Sequence, residues 1–566
     1  MMNRVLRLIT GEVRGIHSAV YVLAVFALLS SLLALLRDRL LAGQFGAGVQ
    51  LDLYYAAFRI PDFVFVALGA LVSVYVLIPE LARRDHQGQQ EYIDTVFLGF
   101  SILAVCVGAV AAFFSPWLLS YLFPQFAEAG FLPTLTSLTR IMLLQPILLG
   151  LSNIFAAITQ TKYRYTLYAA SPLFYNFGII LGIAVLYPMF GLPGLAWGVV
   201  IGAGLHAGIQ IPSIVKDGFF RKLPRFGDAS VLFRTAAVSV PRALALSMNQ
   251  VTIIGLTALA GALAVGSISV FMFSLNLYSV PLAIIGASYS VAAFPSLARS
   301  LSEGRQSEFI DNISTAARHI LFWSLPATAL VIVLRAHIVR VVLGSGAFDW
   351  TDTRLTAASL AILSLALVGQ GLMLLLVRGY YAAGRTFVPF IVSLGIAIGT
   401  IGLGELFIRV MENAAALSFI QVLFRVDNLQ GSNVLAISSA YALATFLGTV
   451  LLAFHFERRF RGFFAQIGRS LAQGIVAAFG GGVAAYAMLA FIGPLTLSST
   501  LASVLTKGFA GGAAGIVAVG LAYALLGNRE FAETVAEMRG RLWRGSIKAE
   551  GGTAIVASAE EAAELK

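Results

Sequence analysis

The sequence predicts an all-α, polytopic membrane protein of about 14 transmembrane helices, and three observations predict it. The 566 residues are 59% hydrophobic and only 11% charged, with mean hydropathy +0.88, too little charge to cover a water-facing surface. Long apolar runs recur through the chain. Such runs approach the roughly 20 residues that cross about 30 Å of hydrocarbon at ~1.5 Å per residue. Lys and Arg collect in alternate loops, as the positive-inside rule requires.

The first six runs are Ser18–Leu36, Phe63–Ile78, Thr95–Phe114, Leu132–Ala157, Tyr165–Tyr187 and Leu195–Ile214. Six more follow at Val231–Leu263, Ile268–Phe294, Ile320–Leu343, Thr356–Ala382, Val388–Val410 and Leu435–Phe454, and the last two are Leu471–Ile492 and Leu501–Leu526. Met1 to Gly15 is polar and basic, and the run behind it lacks a small-residue cleavage site, so the first run is expected to stay as a helix. With the amino terminus inside, the inner loops hold Arg4, Arg7 and Arg14; Arg83 and Arg84; Lys162 and Arg164; and Lys216, Arg221, Lys222 and Arg225. The later ones hold Arg299 and Arg305, Arg385, and Arg458, Arg459, Arg461 and Arg469, while the opposite loops are nearly bare of Lys and Arg, with Arg37, Arg39 and Arg425 the main exceptions. Both termini are therefore expected in the cytoplasm, with the protein in the inner (plasma) membrane. The net charge of +11 then belongs beside anionic lipid and argues against nucleic acid as a partner.

Catalysis finds no support. Cys106 is the single cysteine, read as a small apolar residue; there is no paired His spacing for a metal and no Gly-rich loop ending in Lys-Ser/Thr for phosphates. No cofactor is expected, and transport would run on an ion gradient or on the membrane potential, worth about 2.3 kcal/mol per charge per 100 mV.

An internal repeat organises the chain. Pro79-Glu80-Leu81-Ala82-Arg83 closes the second run and Pro295-Ser296-Leu297-Ala298-Arg299 the eighth, 216 positions later; Arg164 and Arg385, each before an apolar run, are 221 apart. Matching offsets at equivalent places are the mark of parallel transporter repeats. The expected division is a six-helix lobe over 1–225, a second over 226–460, two added helices over 461–527, and a partly disordered cytoplasmic tail over 528–566, with a short helix and disorder from about Gly551.

Ser30 to Asp38, the FGAG at 45–48 with Asp52, and Ala57-Phe58-Arg59-Ile60-Pro61 resemble the amino-terminal signature of the MurJ/MviN lipid II flippases, within the multidrug and polysaccharide exporter group. Further matches are Pro172 with Asn176, Pro281 with the FPSL at 294–297, and Tyr380-Tyr381-Ala382 with Thr386 and Pro389. The resemblance implies flipping of a diphosphate-linked peptidoglycan precursor between leaflets by alternating access. An anionic diphosphate needs fixed cations in a cavity, and Arg supplies a planar fork that keeps its charge. Of the family's cavity arginines only Arg37 is retained; the other positions read Ser31, Phe65 or Val66, and Asn276, and the expected glutamate is missing from Ala67-Leu68-Gly69-Ala70-Leu71.

The substrate-binding candidates are Arg37, Asp38, Asp52, Arg59, Asn249, Gln250 and Asn276. Each has a plainer reading. Arg37 would snorkel at a helix end, Asp38 and Asp52 would cap helices or pair with Arg37 and Arg39, and Arg59 would anchor at the interface instead of replacing a lost charge. Asn249, Gln250 and Asn276, like Gln145, Asn176 and Gln370, would hydrogen-bond between helices, and His206 would be packed or interfacial. Beside lipid II flipping, two other functions fit: export of another lipid-linked oligosaccharide or cation-coupled multidrug export, and a non-transporting scaffold for envelope synthesis.

Overall fold

Backbone polar groups in hydrocarbon must be satisfied within the chain, which a helix does by itself. The computed structural model describes residues 16–543 except 163, 228, 497 and 498, and among these all regular structure is helical, as the sequence predicts. The chain forms two compact units, one ending at Ser269 and the other beginning at Val270.

The first unit contains α1 (Ile16–Phe45), α2 (Val49–Ala57), α3 (Arg59–Gly69), α4 (Val74–Ala82), α5 (His86–Leu122), α6 (Leu132–Met142), α7 (Leu144–Thr161), α8 (Tyr165–Leu181), α9 (Leu192–Gly208), α10 (Ile211–Lys216) and α11 (Ala229–Gly261). At the boundary starts α12 (Ser267–Leu282). The second unit continues with α13 (Ser288–Ser302), α14 (Gln306–Val342), α15 (Trp350–Ala382), α16 (Phe387–Met411), α17 (Ala414–Phe424), α18 (Val434–Arg459), α19 (Phe463–Ile492), α20 (Leu501–Leu525) and α21 (Arg529–Trp543). The tail disorder expected from about Gly551, like Arg4, Arg7 and Arg14, lies outside the described residues.

Among the described residues eleven helical stretches are long and apolar enough to cross a membrane, and α1 and α11, of 30 and 33 residues, also have the length. The second expected run departs from a single helix. It is split between α3 and α4 by the turn at 70–73. Gly69 and Ser73 are weak helix formers, and Ser73 is extended (φ −65°, ψ 138°), its carbonyl accepting from the Val76 and Leu77 amides at the start of α4.

Glycines set the closest packing of the first unit. A Cβ built on Gly178 of α8 would lie 2.2 Å from the Gly202 Cα of α9, and one on Gly198 would lie 2.5 Å from the Gly182 Cα. Small residues spaced four apart let two backbones touch, the usual adhesive of helices that have no hydrophobic drive to associate in lipid. Just past α8, residues Gly182–Leu186 form a π-turn, and Ala283–Ala287 form another behind α12.

The second unit is centred on α14 and α15. Phe309, Tyr380, Phe456, Phe460 and Phe463 make a buried aromatic cluster at one end of their helices. The last helices dock on α14: the Tyr523 hydroxyl of α20 donates to the Phe322 carbonyl (2.8 Å). At the start of α21, Glu530 is 3% exposed and accepts from Arg318 Nε (2.9 Å) and Ser470 Oγ (3.2 Å). The repeated pentapeptides have one feature in common here: Leu81 and Leu297 are both buried, while Arg83 and Arg299 are exposed.

Candidate functional site in the first unit

Arg37 and Asp38 sit two turns before the end of α1. Arg37 Nε and Nη2 both donate to Asp38 Oδ1 (2.9 and 2.8 Å), and Nη1 donates to Asn176 Oδ1 of α8 (3.1 Å). Asn176 is oriented in turn, its Nδ2 donating to the Pro172 carbonyl (3.1 Å) and to Ser30 Oγ (3.4 Å). Asp38 is buried, whereas the Arg37 side chain is 21% exposed and has more N–H donors than these bonds use. The site is a charge pair with a half-open arginine. An anion arriving there would share Arg37 with Asp38, so the adjacent carboxylate tempers the attraction.

Arg59 is buried at the start of α3. Its Nε donates to the Tyr55 carbonyl (3.0 Å) and its Nη2 lies 3.6 Å from Asp62 Oδ2, so its charge is matched on its own helix.

Asp52, 3% exposed on α2, does a different job. Its carboxylate accepts from the Gly266 amide (2.6 Å), the Ser269 amide (2.8 Å) and Ser269 Oγ (2.6 Å), capping the start of α12 from a distant part of the chain. The FGAG stretch completes the joint. Gly46, at φ +58°, lets α1 end, and Gly266, at φ +90°, lies so close to the Ala47 carbonyl that a Cβ would come within 2.2 Å of it.

Asn249 is exposed and Gln250 half-buried on α11, while Asn276 is half-buried on the part of α12 that belongs to the second unit, its carbonyl accepting from Ser279 Oγ (2.7 Å). Ser31 is exposed, its hydroxyl turned back to the Ala27 carbonyl (3.0 Å). The structure thus joins Arg37 to Asp38 and adds Asn176 and Ser30, while Asp52 and Arg59 are engaged with partners of their own.

A second polar group was not among the sequence candidates. His206 Nδ1 lies 2.7 Å from Ser152 Oγ, which also accepts from Gln210 Nε2 (2.7 Å). His206, Asn153, Tyr175 and Phe65 line a cavity of about 160 Å³, and Phe65 and Asn153 also border one of about 190 Å³ against Gly69 and Ser73. An ionisable side chain in a transmembrane run was the signal for His206. Phe65, one of the positions where the resemblance implies an arginine, forms a wall of both cavities.

The sequence model of the family described as "Lipid II flippase MurJ" matches residues 41–506. The chain belongs to this family. A probable lipid II flippase MurJ of Buchnera aphidicola is 27% identical over 382 residues, which are 66% of this chain and 74% of that one. The lipid II flippase MurJ of Burkholderia cenocepacia is 26% identical over 394 residues, 66% and 75% of the two chains. The fold is similar to that of a solved lipid II flippase MurJ in an inward closed conformation, with TM-score 0.69, 20% identity, and 89% and 99% of the two chains covered. Within this MurJ-family chain the match takes in Asp52 and Arg59, while Arg37 and Asp38 fall just before it.

Proposed function

We propose that this protein flips lipid II from the inner to the outer leaflet of the plasma membrane by alternating access, supporting peptidoglycan synthesis. The observation that carries the reading is the family match over 41–506. Arg37, held between Asp38 and Asn176 with part of its fork still open, is the group proposed to meet the diphosphate. The carrier is proposed to comprise two six-helix lobes with two added helices, both termini cytoplasmic, driven by an ion gradient or the membrane potential. Depletion of the protein in its native cell, with exposure of lipid II in the outer leaflet as readout, tests it. Unchanged exposure after depletion would remove this function.

A second reading, export of another lipid-linked oligosaccharide, is favoured by one observation. The positions at which the resemblance implies arginines hold Ser31, Phe65 or Val66, and Asn276, and Arg59 is spent on Asp62. In the same depletion experiment, a different lipid-linked glycan accumulating in the inner leaflet while lipid II distributes normally would select it.

A further inference from the structure

The second unit holds a basic pocket that the flipping reading does not use. It has a volume of about 620 Å³ and lies where the loops joining α14 to α15, α17 to α18 and α19 to α20 come together. By chain order this is the end of the helices opposite the loops at Arg305, Arg385 and Arg459. Arg335, Arg354 and Arg425 line it with His337, Trp350 and Tyr486, and no Asp or Glu is among the lining residues. Among the described residues none of the three arginines forms an ion pair; Asp349 and Asp352, close by in sequence, are occupied with each other's amides at the start of α15.

The guanidinium groups are positioned by neutral partners. Arg335 Nη1 donates to the Ile332 carbonyl (2.8 Å), Arg354 Nε to the Arg425 carbonyl (3.1 Å), and Arg425 Nη2 to the Tyr486 hydroxyl (3.3 Å). Arg425 ends α17 in the left-handed conformation (φ 59°, ψ 44°), a position where glycine would be the unstrained choice. His337 is nine-tenths buried, lines the pocket, and has no hydrogen-bond partner on either ring nitrogen. A buried polar ring without a partner, facing three cations without counter-ions, calls for a ligand that brings negative charge and hydrogen-bonding oxygens. The surrounding Trp350, Leu489 and Ala490 suit the glycerol and first methylenes of an amphiphile.

We infer that this pocket binds a phosphate-bearing anion, with the headgroup phosphate of an anionic lipid of the outer leaflet as its source. The test uses the purified full-length protein, stripped of lipid in a neutral detergent, titrated separately with phosphatidylglycerol and with inorganic phosphate. Wild type is expected to bind phosphatidylglycerol. Arg335→Gln with Arg425→Gln should weaken that binding by at least about tenfold, the scale of one charge-assisted hydrogen bond, while Arg385→Gln, an exposed arginine at the opposite end, leaves it unchanged. Binding of phosphatidylglycerol alone assigns the lipid source, and binding of inorganic phosphate with equal sensitivity to the double change assigns the free anion. Should the double variant fail to stay monodisperse, His337→Phe gives the same readout with every arginine in place. Undiminished binding in a folded variant, or binding to neither probe, overturns the site.

Discussion

Replacing Asp52 separates a structural clamp from a transport residue. Asp52→Ala removes one buried carboxylate and with it three hydrogen bonds, leaving the Gly266 and Ser269 amides buried without an acceptor. Each orphaned donor costs about 1–3 kcal/mol, so the loss should be roughly 3–5 kcal/mol for the pair together with the hydroxyl bond. Asp52→Asn retains one acceptor oxygen, which can hold Ser269 but not Gly266 as well, so about half that loss is expected. In detergent the Asp52→Ala melting midpoint should fall by on the order of 5–10 °C, with Asp52→Asn in between. The assay is thermal unfolding followed by intrinsic tryptophan fluorescence, run beside transport of the surviving folded fraction. If the clamp reasoning holds, transport per folded molecule is close to normal. An unchanged midpoint with transport abolished would refute it and return Asp52 to the substrate path.

Three other outcomes are expected. Arg37→Ala should abolish transport while the protein still inserts, and Arg37→Lys should recover only part of it, because an ammonium cannot fork between Asp38 and an arriving phosphate; vesicle flipping assays with both variants check this. Gly198→Leu should remove most of the folded protein from membranes, since even a Cβ would sit 2.5 Å from the Gly182 Cα, whereas Gly204→Ala, with nothing within 4 Å, should be silent in the same expression and melting assay. Single cysteines at positions 221 and 349, after replacement of Cys106, should label from outside intact cells only at 349; labelling at 221 alone would invert the topology.

The helical fold was legible because lipid enforces it: length and apolarity mark a crossing without regard to what packs beside it. The break between α3 and α4 was not, since residues 70–72 are as apolar as their flanks and only Gly69 and Ser73 hint at a turn. Asp52 shows the same boundary for the site. Its acidity is visible in sequence, but its burial and its partners Gly266 and Ser269, 214 and 217 positions away, are not, so cap and ligand read alike. Asn176 was readable as polar glue, and what could not be read was that it holds Arg37 across 139 positions. The repeat carries a similar lesson. Arg164 and Arg385 each close a helix with their amide on the carbonyl five residues back (2.8 and 2.9 Å), yet Arg164 is buried on Ser213 and Asp217 while Arg385 is exposed. Backbone geometry follows local sequence, and side-chain company does not.

The bond between Arg318 and Glu530 spans 212 residues, and that distance is also an interval of time. A ribosome making ~5–20 residues per second needs roughly 10–40 s to get from one to the other. Throughout that wait α14 is in the membrane with the Arg318 side chain lacking this carboxylate, and Ser470 of α19 arrives ahead of the acid it donates to. The three helices can therefore be joined through Glu530 only when the start of α21 emerges, after every apolar run has been made. Chains halted just short of Glu530 would contain every apolar run and still lack this latch.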